Sequence, residues 1–136
     1  MNVQGGCFCG AVRYEVNGEI FNSTLCHCTD CRRISGAPAL AWFSARRADF
    51  RYTQGEPARF ASSAQVLRGF CAQCGTTLTF EDGRWPEELD ISTCSLDEPN
   101  AVPPEDHTFV RSRLHLVKLA DGLPEYPSTR TAGLTG

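Results

Sequence analysis

The stretch Cys7-Phe8-Cys9-Gly10-Ala11-Val12-Arg13-Tyr14-Glu15-Val16 carries two signals at once. Its second half alternates: Val12, Tyr14 and Val16 fall on one side, Arg13 and Glu15 on the other. That is the period of a half-buried strand. Its first half is a C-x-C pair followed by glycine, the composition of a tight metal-binding turn. The same pairing recurs at Cys71 and Cys74, a C-x-x-C followed by Gly75. Four thiolates close a tetrahedral zinc site, so the two pairs together make one complete centre. Such a centre pins residue 9 to residue 71, a structural task.

Seven of the eight cysteines lie in three clusters, and the third is Cys26, Cys28 and Cys31, a C-x-C-x-x-C. This triplet is one ligand short of a closed site. Three protein ligands with an open position are the usual layout of a catalytic zinc. Sulfur-ligated zinc accepts a further sulfur readily. A metal-bound thiol loses its proton and becomes nucleophilic at neutral pH. A zinc on Cys26, Cys28 and Cys31 could therefore bind and activate a small thiol. An even cysteine count also fits a disulfide scaffold in a secreted chain. Met1 to Gly10 show no basic start followed by an apolar run, and neighbouring cysteines in C-x-C pairs are poorly placed to staple distant segments. Clustered thiols in the reducing cytoplasm bind metal or do redox chemistry. An iron–sulfur cluster on the paired set stays open at this level, since it also takes four thiolates.

The chain of 136 residues is long enough for one domain with its own core. Net charge is −3, and twelve of the thirteen basic residues are arginine. The densest basic pairs, Arg32-Arg33 and Arg46-Arg47, are too few for a nucleic-acid face. No run of about 18 apolar residues suggests a membrane helix. Composition thus points to a cytoplasmic protein with small-molecule partners, and to neither nucleic acid nor membrane.

Alternation at period two continues along the chain. Strands are expected at Phe21 to Leu25, Pro38 to Phe43, around Phe50 and Tyr52, at Phe60, from Val66 to Phe70, and at Leu78 and Phe80. Others are expected at Leu89 and Ile91 and at Leu114, Leu116 and Lys118. Asn17-Gly18 and Asp82-Gly83 read as turns, the latter as a hairpin. One short helix is expected from Thr29 to Ser35, stopped by Gly36 and Pro38. The fold class is mostly β, with eight to ten strands, little helix, and the cysteines at turns between strands. Residues 1–126 read as one zinc-binding β domain, and 127–136 as a loose tail.

Individual residues carry further expectations. His27 sits between two ligand candidates; a fourth ligand or an acid–base group is one reading, but in an extended segment its side chain turns away from theirs, which is the favoured one. Cys94 reads as a small buried apolar residue, with a redox or ligand role as the alternative. Arg32 and Arg33 follow the triplet and could hold the carboxylates of an anionic cofactor or substrate; an ordinary solvated pair is the plainer reading. Trp42 and Phe43 read as core, with a pocket wall as the alternative. His107 and His115 are distant in sequence, and one of them could reach the open metal.

Three stretches together resemble the glutathione-dependent formaldehyde-activating enzyme family, which includes the centromere protein V type of domain. They are Gly6 to Tyr14, Cys26-His27-Cys28 to Cys31-Arg32, and Phe70-Cys71-Ala72-Gln73-Cys74-Gly75. Leu96 to Pro99, the His107 segment and Asp121 to Pro124 are similar to the family's later blocks, so the resemblance runs over about residues 3 to 126. It implies a β-tent of small antiparallel sheets and two zinc ions. One is structural, on Cys7, Cys9, Cys71 and Cys74; the other is catalytic, on Cys26, Cys28 and Cys31. The implied activity is that of a carbon–sulfur lyase, condensing glutathione with formaldehyde to S-hydroxymethylglutathione. The competing functions are a non-catalytic zinc-supported binding module and a thiol or redox sensor whose triplet loses metal on oxidation.

Overall fold

The computed structural model describes residues 1–131. Ten strands and one α-helix are found among them. A three-stranded sheet is formed by β1 (Asn2–Gly6), β2 (Arg13–Asn17) and β5 (Phe50–Gln54), in the order β1-β2-β5. The second sheet contains β3 (Ile20–Cys26), β4 (Leu40–Arg46), β6 (Ala58–Ala61), β7 (Val66–Phe70), β8 (Thr77–Asp82), β9 (Glu88–Ser92) and β10 (Asp106–Thr108). Its order is β10-β3-β4-β9-β8-β7-β6. All pairings are antiparallel except β10 with β3, which is parallel.

The core between the sheets follows from the alternation. Tyr14 and Val16 of β2 are buried, while Arg13 and Glu15 are partly exposed. They pack with Phe43 and Ala45 of β4, Leu78 of β8, and Leu89 and Ile91 of β9. The opposite face of β4 is covered too: Leu40 and Trp42 join a second cluster with Cys26 and Cys31. Burial on both faces is why Pro38 to Phe43 reads as a continuous apolar run.

The cysteine pairs sit in two hairpin loops from different sheets. Gly6 pairs with Arg13, so Cys7 and Cys9 lie in the β1–β2 loop. Phe70 pairs with Thr77, so Cys71 and Cys74 lie in the β7–β8 loop. The triplet spans the end of β3 and the start of α1 (Thr29–Ser35), which Gly36 closes at φ 69°.

Several expectations need correction. Leu114, Leu116 and Lys118 form no strand; the segment is turn and irregular structure, and Leu116 is 80% exposed. Its i, i+2 apolar spacing has no sheet edge to pair with, because the chain beyond it takes that place. Residues 124–128 run beside β10: His107 N–H donates to Pro124 O at 2.8 Å, Tyr126 N–H to His107 O at 2.9 Å, and Phe109 N–H to Ser128 O at 2.9 Å. Arg130 donates to both carboxylate oxygens of buried Asp106. The segment expected as a loose tail is therefore docked through Arg130, and residues 132–136 lie outside the described residues. Asp82-Gly83 does lead into a β8–β9 hairpin, but through five residues, 83–87, and not a two-residue turn. β1 and β10 had no signal in the alternation: one is polar and glycine-rich, the other only three residues long.

Candidate metal centres and the adjoining cavity

Cys7, Cys9, Cys71 and Cys74 place their sulfurs within 4.8 Å of one another, close enough to hold a single ion. Cys7 and Cys9 sulfurs are 3.6 Å apart, and Cys9 and Cys71 sulfurs 3.7 Å. Backbone amides point at the sulfurs. Val12 N–H donates to Cys7 Sγ at 3.3 Å, and the amides of Gln73 and Cys74 donate to Cys71 Sγ at 3.4 Å each. Such donors offset the negative charge of clustered thiolates. The turns depend on Gly10 and Gly75, at φ 82° and 79°. A Cβ at either would meet nothing within 4 Å, so conformation and not space requires glycine there. Thr76 hydrogen-bonds Cys74 Sγ at 3.2 Å, and this holds the Cys74 thiol down at about 5.

Cys26, Cys28 and Cys31 form a second group within 4.8 Å, with no further histidine or carboxylate in it. Cys26 ends β3, Cys28 caps α1, and Cys31 lies in its first turn. Cys28 Sγ accepts the Cys31 N–H at 3.2 Å. The neighbouring Cys26 and Cys31 thiols pull the Cys28 thiol well down, with the charge of Arg68 acting in the same direction. Those same contacts push the Cys26 thiol up. Three sulfurs this close together suit a thiophilic cation.

The two groups differ in surroundings. Cys7 and Cys71 are embedded in the core. The trio instead borders a cavity of about 690 Å³, lined by Cys26, Cys28 and Cys31. The cavity face of the seven-stranded sheet carries a cross-strand row. Ser44 pairs with Asp90, Asp90 with Phe80, and Phe80 with Arg68. A bulge in β3, with Asn22 at φ 52°, shifts the register so that Thr24 pairs with Trp42 beside this row. Burial raises the Asp90 carboxyl to about 6, against a 2.6 Å hydrogen bond from Ser44 Oγ.

The other candidates are dispersed. His27 turns away from the sulfurs, as expected; its Nε2 lies 3.0 Å from His107 Nδ1, and both rings are fully buried. His107 Nε2 in turn contacts Asp121 Oδ2 at 2.8 Å, so it reaches a carboxylate and not the trio. His115 is exposed, in the irregular segment after Ser112. Trp42 lines the cavity, whereas Phe43 packs in the core. Cys94, expected to be buried, is exposed in a 3-10 turn after β9; the alternation that buries Ile91 breaks there. Arg32 and Arg33, read as either a carboxylate grip or a solvated pair, do not line the cavity. Arg32 Nη2 lies 3.5 Å from Thr29 Oγ1, and Arg33 faces outward. The cavity's cations are Arg68, Arg84 and Arg130. Arg68, Asp90 and Ser44 escaped sequence reasoning because polar positions in an alternating strand read as solvent-facing. The one available signal was a basic residue inside the apolar run Val66 to Phe70.

Fold and sites define a small, mostly β protein with two cysteine centres, one supplied with four sulfurs and one with three. The sequence profile of the glutathione-dependent formaldehyde-activating enzymes matches residues 2–112. This chain belongs to that family. A Halomonas elongata protein provisionally named a glutathione-dependent formaldehyde-activating enzyme is 29% identical over 125 residues, 86% of this chain and 75% of its own length. An uncharacterised lyase of Schizosaccharomyces pombe is 31% identical over 77 residues, 57% of this chain and 56% of its own. A crystal structure of a Rhodobacter sphaeroides protein superposes with a TM-score of 0.56 at 25% identity, covering 90% of this chain and 98% of that one.

Proposed function

We propose that this protein is a zinc-dependent carbon–sulfur lyase that joins glutathione, or another small thiol, to formaldehyde or a related aldehyde. The observation that carries the reading is the contrast between the centres: the four-sulfur group is anchored in the inter-sheet core through Cys7 and Cys71, and the three-sulfur group borders a cavity. Its donor set suits zinc, since a trio of cysteine sulfurs is soft and leaves one tetrahedral position free. A zinc held there would lower the pKa of an incoming thiol and keep it ionised at neutral pH.

This chain's own residues do the rest. Cys26, Cys28 and Cys31 hold the ion, and Cys7, Cys9, Cys71 and Cys74 hold the structural one. Trp42 and Phe80, 6.1 Å apart between ring centroids, form an apolar wall that limits water around the reactants. In the forward direction the thiol sulfur bonds to the aldehyde carbon, the carbonyl π bond opens, and the oxygen takes a proton. Asp90 is suited to supply and recover that proton, because burial raises it to about 6, near the working range. The cavity binds thiol and aldehyde together, so their encounter becomes effectively unimolecular.

The test is the exchange rate between free glutathione and its S-hydroxymethyl adduct, measured by NMR with and without protein. Acceleration that is lost in Cys28→Ser supports the reading. Equal rates with and without the wild-type protein remove it.

A further inference from the structure

Arg68 is unusual among the cavity's charged residues. It is only 5% exposed, on β7, and it lines the same cavity as Cys28 and Cys31. Its Nε donates to Ser62 Oγ at 3.1 Å, and its guanidinium lies 5.0 Å from the centroid of the Phe80 ring. Its Nη1 is buried and has no hydrogen-bond partner among the described residues. The other two cations of the cavity are spent: Arg84 pairs with Asp82 at 2.7 Å, and Arg130 pairs with Asp106. Asp90, which stands across Phe80 from Arg68 in the sheet, is held by Ser44 instead. No ion pair among the described residues includes Arg68.

A buried guanidinium with an unused donor costs free energy unless a partner arrives. The partner that matches its planar fork is a carboxylate, which it can grip through two parallel hydrogen bonds. Ser62 and the Phe80 ring hold the guanidinium in place, so little ordering is left to the moment of binding.

We infer that Arg68 is a specificity-determining residue that takes a carboxylate of the thiol reactant, so that the cavity selects a carboxylate-bearing thiol over a neutral one. The inference rests on the reading that a thiol enters this cavity. The thiol is then held at two points, its sulfur at the cysteine trio and its carboxylate at Arg68.

The competing role for Arg68 is to offset the negative charge of the sulfur centre, and the two make different predictions. The probes are glutathione and its diethyl ester, which has the same thiol with both carboxylates masked. Binding of each is measured by calorimetry on zinc-loaded wild type, Arg68→Met and Arg68→Lys, with zinc content determined on every sample. Wild type is expected to bind glutathione more tightly than the ester. Arg68→Met is expected to weaken glutathione by about 10- to 100-fold, the range for a charge-assisted pair. It should change ester binding less than about threefold and leave zinc content unaltered. Arg68→Lys, which keeps the charge and loses the fork, should fall between, and it carries the test if the Met variant does not fold. Equal losses for both probes, loss of zinc, no loss at all, or a wild type indifferent to esterification would each overturn the inference. Selective binding without accelerated adduct exchange would leave Arg68 in its role and remove the lyase reading instead.

Discussion

At the residue scale, the account turns on side chains whose environment overrides their usual behaviour. Asp90 is the clearest. Its carboxyl sits near 6 because burial penalises the charge more than the Ser44 bond relieves it. Between about pH 4 and 6 the folded protein holds this proton more firmly than the unfolded chain does. Stability contributed at Asp90 is therefore full at low pH and falls as pH rises through that window. Asp90→Asn removes the penalty: its stability relative to wild type should grow between pH 4 and 7, by up to about 3 kcal/mol. Denaturant midpoints at both pH values check this, and a constant difference would contradict it. If Asp90 also handles the proton, the same variant should slow adduct exchange. The seven clustered cysteines and the outward turn of His27 were legible in the sequence, because ligand spacing and strand alternation are local rules. Asp90 and Arg68 were not: whether a polar residue in a strand faces water or a cavity depends on which strands lie beside it.

At the element scale, two hairpin loops and one strand-to-helix junction do the positioning. The β7–β8 loop is held by Gly75 N–H to Cys71 O at 2.8 Å and by Cys71 N–H to Thr76 O at 3.0 Å. Gly75→Ala meets no steric obstacle but forces a side chain into the left-handed region, at about 1–2 kcal/mol. The expected result is a melting temperature lower by several degrees with both metal sites still filled; an unchanged melting temperature would show that the turn tolerates another geometry. Most strands and the helix Thr29–Ser35 were readable from apolar periodicity and the Gly36 stop. β10 was not, since its three residues exist as a strand only through their parallel pairing with β3. The docked segment 124–128 was hidden for the same reason: its hydrogen bonds are to distant backbone. The spurious strand at Leu114 to Lys118 shows the converse, a local pattern with no partner.

At the scale of the whole molecule, the four-sulfur group joins the three-stranded sheet to the seven-stranded one, across loops 62 residues apart in sequence. Closing that loop with a metal ties folding to metal binding. Cys71, at 1% exposure, stands inside the core as well. Cys71→Ser is expected to give aggregated or unfolded protein, read by circular dichroism. Cys28→Ser touches neither the inter-sheet core nor the bridge between sheets, so it should fold. The most direct test of this division of labour is the zinc content per folded chain, by elemental analysis, of wild type and Cys28→Ser side by side. The account predicts two ions in the wild type and one in a variant with native circular dichroism. A single ion in the wild type, or loss of the fold in Cys28→Ser as complete as in Cys71→Ser, would contradict it.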